Sequence, residues 1–386
     1  MASAAPTATT QRHRALDGLR AIAALSVLAY HAWLYTKPQV SSGIKEATSD
    51  YVWHELRLGL VLFFVLSGHL LYGLWVHAAM TGTGRPSTRG YAIRRAARIL
   101  PAYWLAIAGS IVLLWTQDGV PGVRLPDGGN LWLFAVFGQN FRQDTLLTLN
   151  PPTWTLAVEA TFYVILPLLG LLAVRGRRVG LIAAPVLFFA LGLAYNFTLS
   201  DEAGLSPIAS KVLPALAPYF ALGMLAAVVA HGRTIGRTLM WWLLGVGVAL
   251  VLADAWWAAD AATRGSHAQS LRIWRDTAAA GGFALILLAT ATASTAPRLL
   301  SSRPLVRVGE LSYGVYLWHV PLLLFLRAHG LLPLSTALAI LVALPLTLLV
   351  AAGSWRWVER PAQEWGRRVA ARGSSRRAAR AALARS

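Results

Sequence analysis

The 386-residue chain contains no cysteine, which excludes disulfides, thiolate metal sites and a cysteine nucleophile. It is also poor in charge. Asp, Glu, Lys and Arg make up 13% of it, about half the share usual in a soluble domain. Acidic residues are the scarcer sign, 16 against 35 Lys and Arg. There is no phosphate-binding GxxxxGK[ST] loop, no G-x-S-x-G serine elbow and no H-E-x-x-H zinc motif. No metal site is expected.

What fills the chain instead is apolar sequence, 56% of residues, with 16 tryptophans and 11 tyrosines suited to membrane–water interfaces. Apolar segments of spanning length run near 15–35, 56–80, 99–116, 153–174, 179–199, 211–231, 239–258, 276–296, 311–329 and 334–358. The expected fold is an all-α integral membrane protein of about ten transmembrane helices. A further segment, 130–140, is too short to span and reads as a re-entrant or interfacial piece. The net charge of +19 does not point to nucleic acid, because the arginines cluster in short loops. Loops 81–98, 175–178, 232–238 and 297–310 and the tail from Glu359 carry them, while Glu46, Asp50, Glu55, Asp118, Asp127, Asp201, Glu202 and Asp260 fall in the alternate loops. Loop 259–275, with Arg264, Arg272 and Arg275, fits poorly.

This pattern predicts a multi-pass protein of the inner or plasma membrane with both termini cytoplasmic. The division is a cytoplasmic segment 1–14, a membrane domain 15–358 and a basic tail 359–386. The first apolar run is too long for a signal-peptide core, so it reads as a retained span. In the tail, Arg367, Arg368, Arg372, Arg376, Arg377 and Arg380 either lie along a basic helix on anionic lipid or belong to a solvated tail.

Ionisable groups inside the spans are costly and mark cavities, partners or chemistry. Arg20 and His31 stand eleven residues apart. Eleven helical residues turn through about 1,100° and rise about 16 Å, so the two share one face. The pair suggests an anionic ligand held near the surface and reacted deeper; a snorkelling arginine and a buried histidine is the plainer alternative. Arg95 and Arg98, neighbours at a helix start, make either a phosphate site or a positive-inside stop. Glu159, flanked at four residues by Thr155 and Tyr163, either orients a histidine, holds a proton or pairs with a buried arginine. Ser67 and Gly68 read first as helix packing. His69 and His77 are weak candidates. Ser312, Tyr316 and His319 follow i, i+4, i+7 and give one polar face, which lines a cavity or packs on another helix.

Taken in order, these segments resemble the membrane-bound acyltransferase-3 family, bacterial O-acyltransferases acting on sugars and related hydroxyl compounds. The matching stretches are Leu16-Asp-Gly-Leu-Arg20 with His31, Phe63-Phe-Val-Leu-Ser-Gly68, Arg95-Ala-Ala-Arg98 with Ile-Leu-Pro-Ala-Tyr-Trp104, Thr153-Trp-Thr-Leu-Ala-Val-Glu159, Leu311-Ser-Tyr-Gly-Val-Tyr-Leu-Trp-His319 and Glu359-Arg-Pro361. They cover Arg14 to Pro361. Val61 and Leu62 replace an acidic residue common before the Phe-Phe pair, His69 stands where Phe is common, and Ala160 follows Glu159 where the carboxylate is often doubled.

The resemblance implies transfer of an acyl group, in the first instance acetyl, from cytoplasmic acyl-CoA to a hydroxyl of a glycan, a lipid-linked sugar or a small molecule. In that reading Arg20, Arg95 and Arg98 hold the CoA phosphates and His31 is the general base, with a transient acyl-histidine left open. Glu159 fixes the imidazole or carries protons. Ser67, Ser312, Tyr313, Tyr316 and His319 line the cavity. Membrane lipids are the other partner, and no nucleic acid is. The alternative is a proton-coupled transporter using Arg20, His31 and Glu159 as its polar pathway.

Overall fold

The computed structural model describes residues 8–37, 48–83, 85–175, 177–199, 206–264, 274 and 276–383, with the backbone alone at 8–13, 48, 177, 259–264 and 373–383. Among these residues the chain is helical, with no strand. In chain order the α-helices are α1 Ala8–Thr36, α2 Thr48–Glu55, α3 Gly59–Thr81, α4 Thr88–Leu114, α5 Trp132–Ala135, α6 Trp154–Arg175 and α7 Arg177–Thr198. They continue with α8 Leu213–Ala230, α9 Arg237–Arg264, α10 Thr277–Thr292, α11 Arg303–Glu310, α12 Ser312–Ala328, α13 Thr336–Ser354 and α14 Arg360–Leu383.

Among the described residues seven stretches are long and apolar enough to cross a membrane: Ser49–Thr81, Thr88–Leu114, Pro151–Arg175, Arg178–Thr198, Ala209–Ala230, Arg237–Ala258 and Thr336–Arg372. The pair α11 and α12, bent by 71°, makes an eighth if taken as one span. The expected count of about ten is therefore not reached. The segment 15–35 is helical, but Arg20 and His31 dilute its apolar run. The segment 276–296 contains a helix of 16 residues, about 24 Å long against a hydrocarbon core of about 30 Å. The arginines expected in loop 265–273 and at 275, and residues 1–7, lie outside the described residues.

Local signals set the helix ends. The Ser87 side chain accepts from Gly90 N at 3.1 Å and starts α4. Gly82, at φ +67°, stops α3 in the left-handed conformation open to glycine. α3 is apolar all round and becomes the central helix of the bundle, packed on α1, α6 and α8. Its crossing with α8 is a backbone-on-backbone contact. A Cβ on Gly68 would stand 2.1 Å from Phe220 O, and one on Gly223 would stand 2.0 Å from Val65 O. The packing role expected for Gly68 is thus its role here. Around this crossing Tyr72, Trp75, Phe162 and Phe220 are fully buried, the last two stacked at 4.2 Å between ring centroids.

The α4–α6 connection folds back over the bundle. It contains the short segment 130–140, which forms single turns and no span. Tyr103 OH and Trp104 Nε1 of α4 donate to Phe134 O at 2.7 Å and Ala135 O at 3.0 Å. Phe137, Leu147 and Leu149 hold φ near +60° (60°, 59° and 56°), a conformation costing about 1–3 kcal/mol each for such residues and kept only where the surroundings enforce it. The first part of the basic tail is a helix laid along α4, where Gly366 admits Ala97; Arg376, Arg377 and Arg380 have no described side chains.

Candidate active site

Two cavities lie back to back between α1, α3, α4, α6 and α12. The first, about 330 Å³, is lined by Arg20, Ser67, Arg95, Arg98, Glu159 and Tyr163, together with Thr155, Ser312, Tyr313 and Tyr316. The second, about 610 Å³, is lined by His31 with Tyr30, Tyr35, Arg57, Arg124, Trp154, Lys211 and Asp276. Leu60, Phe64 and Tyr316 belong to both walls. Along α1 and α3 the first cavity lies at the end where Arg20 and Ser67 stand, and the second at the end where His31 and Leu60 stand.

Three guanidiniums and one carboxylate face the first cavity. Glu159 Oε1 accepts a 2.5 Å hydrogen bond from Ser67 Oγ. Arg20 is 3.5 Å from Asp17, one turn back on its own helix. Arg95 stands 5.9 Å from the Tyr91 ring centroid, and its Nε is buried without a hydrogen-bond partner. Ser312 Oγ is likewise buried and unpartnered. Unmade hydrogen bonds at buried polar atoms are expensive, and both belong to residues in the wall of this cavity. Its donor set fits a polyanion such as a phosphate or diphosphate.

His31 has different neighbours. Its Nδ1 lies 2.9 Å from Val27 O and 3.1 Å from His319 Nε2, while His319 Nδ1 lies 3.0 Å from Val315 O. A carbonyl only accepts, so both Nδ1 atoms carry the proton. His319 Nε2 then accepts from His31 Nδ1–H, and His31 Nε2 retains its lone pair. Tyr35 stacks on the His31 ring at 6.2 Å.

The structure therefore brings Arg20, Arg95, Arg98, Glu159, Ser67, Ser312, Tyr313 and Tyr316 to one cavity. It puts His31 on the next, with His319 behind it. Glu159 does not touch His31; the orienting contacts come from Val27 and His319. Tyr316 OH donates to Pro152 O at 3.1 Å and pairs with Thr155 Oγ1 at 2.7 Å, while Tyr313 OH donates to Ile99 O at 2.9 Å. His69 is buried against α8 and outside both cavities.

Sequence reading gave no role to Glu359. It is buried, accepts from Ser354 Oγ at 3.1 Å and lies in the field of Arg98 and Arg20. A five-residue π-turn, Trp355–Glu359, turns it inward. The Glu-Arg-Pro stretch was its signal. Arg57, Arg124, Lys211 and Asp276 were missed as well, because no spacing links them.

Comparison with known proteins gives the family. A profile described as "Acyltransferase domain", that of acyltransferase-3, matches residues 13–356. Nodulation protein 10 of Rhizobium leguminosarum bv. viciae is 28% identical over 373 residues, 90% of this chain and 92% of that protein. A putative O-acetyltransferase of Staphylococcus aureus strain COL is 25% identical over 383 residues, 91% of this chain, and O-acetyltransferase OatA of strain NCTC 8325 is 24% identical over 380 residues, also 91%. The chain spans 57% of the length of each of these two staphylococcal proteins. No solved structure matches. Both the ordered motifs and the match over residues 13–356 lead to one assignment: the chain belongs to the acyltransferase-3 family of multi-pass membrane proteins.

Proposed function

We propose that the protein transfers an acyl group, acetyl in the first instance, from cytoplasmic acyl-CoA to the hydroxyl of a carbohydrate or glycosylated acceptor, with His31 as general base. The observation that carries the reading is the adjacency of two unlike cavities, one lined by Arg20, Arg95 and Arg98, the other by the open Nε2 edge of His31. In this reading the CoA phosphates bind the three arginines and the unpartnered Arg95 Nε and Ser312 Oγ. The thioester reaches His31 past Leu60, Phe64 and Tyr316.

His31 Nε2 takes the proton of the acceptor hydroxyl while its oxygen attacks the thioester carbonyl carbon. The C–S bond breaks, and the leaving CoA sulfur receives that proton from the imidazolium. Free CoA and an ester are the products. His319 and Val27 O hold the ring so that Nε2 faces the acceptor. Glu159, bonded to Ser67, balances the guanidiniums around the donor and takes no part in orienting His31. Arginine-rich loops on the side of Arg20 and Arg95 support a cytoplasmic donor side.

The test uses purified protein and radiolabelled acetyl-CoA, following CoA release and acyl-CoA binding. His31→Ala is expected to lower transfer by about 10²-fold or more with acyl-CoA affinity retained. Arg98→Ala is expected to raise the KM for acyl-CoA by about tenfold and leave kcat near wild type. Normal turnover in His31→Ala overturns the assignment of the base. Transfer that needs a sealed membrane and no acyl-CoA would favour the transporter.

A further inference from the structure

The second cavity has a charge pattern that acyl transfer to a neutral sugar does not require. Its wall contains the cations Arg57, Arg124 and Lys211 and one acid, Asp276. That acid is committed: Arg57 Nη1 and Nη2 each donate to its carboxylate at 2.8 Å. Among the described residues neither Lys211 nor Arg124 pairs with a carboxylate. Among the described residues the remaining wall is apolar or aromatic, and apart from His31, the Trp154 indole and tyrosine hydroxyls it has no side-chain group to read neutral hydroxyls.

Both cations stand on backbone that is tethered by hydrogen bonds. Asn140, 2% exposed, donates one amide proton to Trp154 O at 2.7 Å and the other to Lys211 O at 2.8 Å. One buried side chain thus ties the backbone of these two residues together, and Lys211 Nζ stands 5.4 Å from the Trp154 ring centroid. Arg124 is anchored through its own carbonyl, which accepts from Leu149 N at 2.7 Å. It lines the same cavity as Tyr35, the residue stacked on His31. Two cations without a carboxylate partner among the described residues thus share the wall that holds the base, and together they suit an anion beside the reacting hydroxyl.

We propose that the acceptor is an acidic hydroxyl compound, with a carboxylate or phosphate near the hydroxyl that is acylated, and that Lys211 and Arg124 bind this group beside Trp154. Asn140 is the positioning residue. The proposal deepens the acyl-transfer reading and rests on it for the identity of the reacting hydroxyl; the anion subsite itself does not depend on that chemistry.

The test is calorimetric binding to the full chain in lipid nanodiscs, free of sugar detergents. The probes are methyl β-D-glucoside, methyl β-D-glucuronide and glucose 6-phosphate. Wild type is expected to bind at least one anionic probe about tenfold or more tighter than the neutral one, and which anion wins identifies the source. Lys211→Met and Arg124→Gln are each expected to cut that preference severalfold, and together to abolish it. The neutral probe and acetyl-CoA should bind the variants as they bind wild type, which shows that the fold survives. Asn140→Leu should reduce the preference with both cations still present.

Equal binding of charged and neutral probes, binding of none, or a preference that survives the double variant overturns the proposal. An anion preference in a protein that releases no CoA from acetyl-CoA leaves the subsite standing and removes the acyl-transfer reading instead.

Discussion

The contact between His31 and His319 spans 288 positions of sequence and decides which nitrogen of His31 is open. His319 lines neither cavity, so its contribution is to hold the other ring. Replacing it separates shape from hydrogen bonding. His319→Phe fills the volume and removes the acceptor for His31 Nδ1–H. His319→Gln keeps an acceptor oxygen on a side chain of similar reach. Loss of the partner that orients a metal-bound histidine costs about 10–100-fold; on the same orienting logic kcat is expected to fall by about that amount in His319→Phe and to recover most of it in His319→Gln. The KM for acyl-CoA should stay at the wild-type value in both; a fall shared equally by the two variants would reduce His319 to a packing role. Much of this site was legible at the residue scale. Arg20, Arg95, Arg98, Glu159 and the Ser312–Tyr316 face lie in short stretches where helical spacing alone fixes the shared face. The partner of His31 was not legible: Glu159 was weighed as an orienting group, a proton holder or an arginine partner, and nothing local ties His319 to His31. Lys211 and Arg124 were invisible for the same reason: one opens an expected span, the other sits alone in a loop, and each gains meaning only from the cavity wall.

At the scale of elements, apolar length predicted helices well, since every expected span falls on one. Among the described residues, seven of these helices, or eight with the bent pair, are long and apolar enough to span. Length and polarity fail separately: α1 is long but carries Arg20 and His31 toward the cavities, while α10 is apolar but ends after 16 residues. The bend of 71° between α11 and α12 and the π-turn that swings Glu359 inward are tertiary outcomes with no periodic trace in sequence. The packing role of Gly68 was legible, though not that α8 is its partner, and the α3–α8 crossing leaves no room for a single methyl. Gly68→Ala would put its Cβ 2.1 Å from the Phe220 carbonyl oxygen, a backbone atom that no rotamer change can move. Small-to-large changes in packed cores cost about 1–3 kcal/mol. The variant is expected to lower Tm in detergent by several degrees, as is Gly223→Ala at the reciprocal contact. Because α3 lines both cavities, the loss of thermal stability should come with weaker acyl-CoA binding. An unchanged Tm would mean that the helices separate at no cost.

For the whole molecule, the two cavities give the reaction a direction only if the arginine-lined one opens to the cytoplasm. That orientation comes from loop charge, and the absence of cysteine makes it measurable. A single introduced thiol is the only one in the chain, so labelling by a membrane-impermeant maleimide reports one position. Thr83→Cys in the α3–α4 loop and Asp118→Cys in the α4–α6 loop lie at opposite ends of α4, and both sites are exposed. The positive-inside pattern predicts label on Asp118→Cys in intact cells, and on Thr83→Cys only after the membrane is opened. A third position, Thr295→Cys, exposed just beyond α10, tests whether that short helix crosses. If it does, Thr295→Cys behaves like Thr83→Cys, and the bilayer must thin or the flanking residues must reach out to accommodate a helix of 16 residues. If α10 stops short, Thr295→Cys labels in intact cells, and α11 must enter from that side with Arg303 and Arg307. Inverted labelling of Thr83 and Asp118 would turn the arginine cavity outward. Cytoplasmic acyl-CoA would then lose its route to His31, and the donor would have to be sought on the other side.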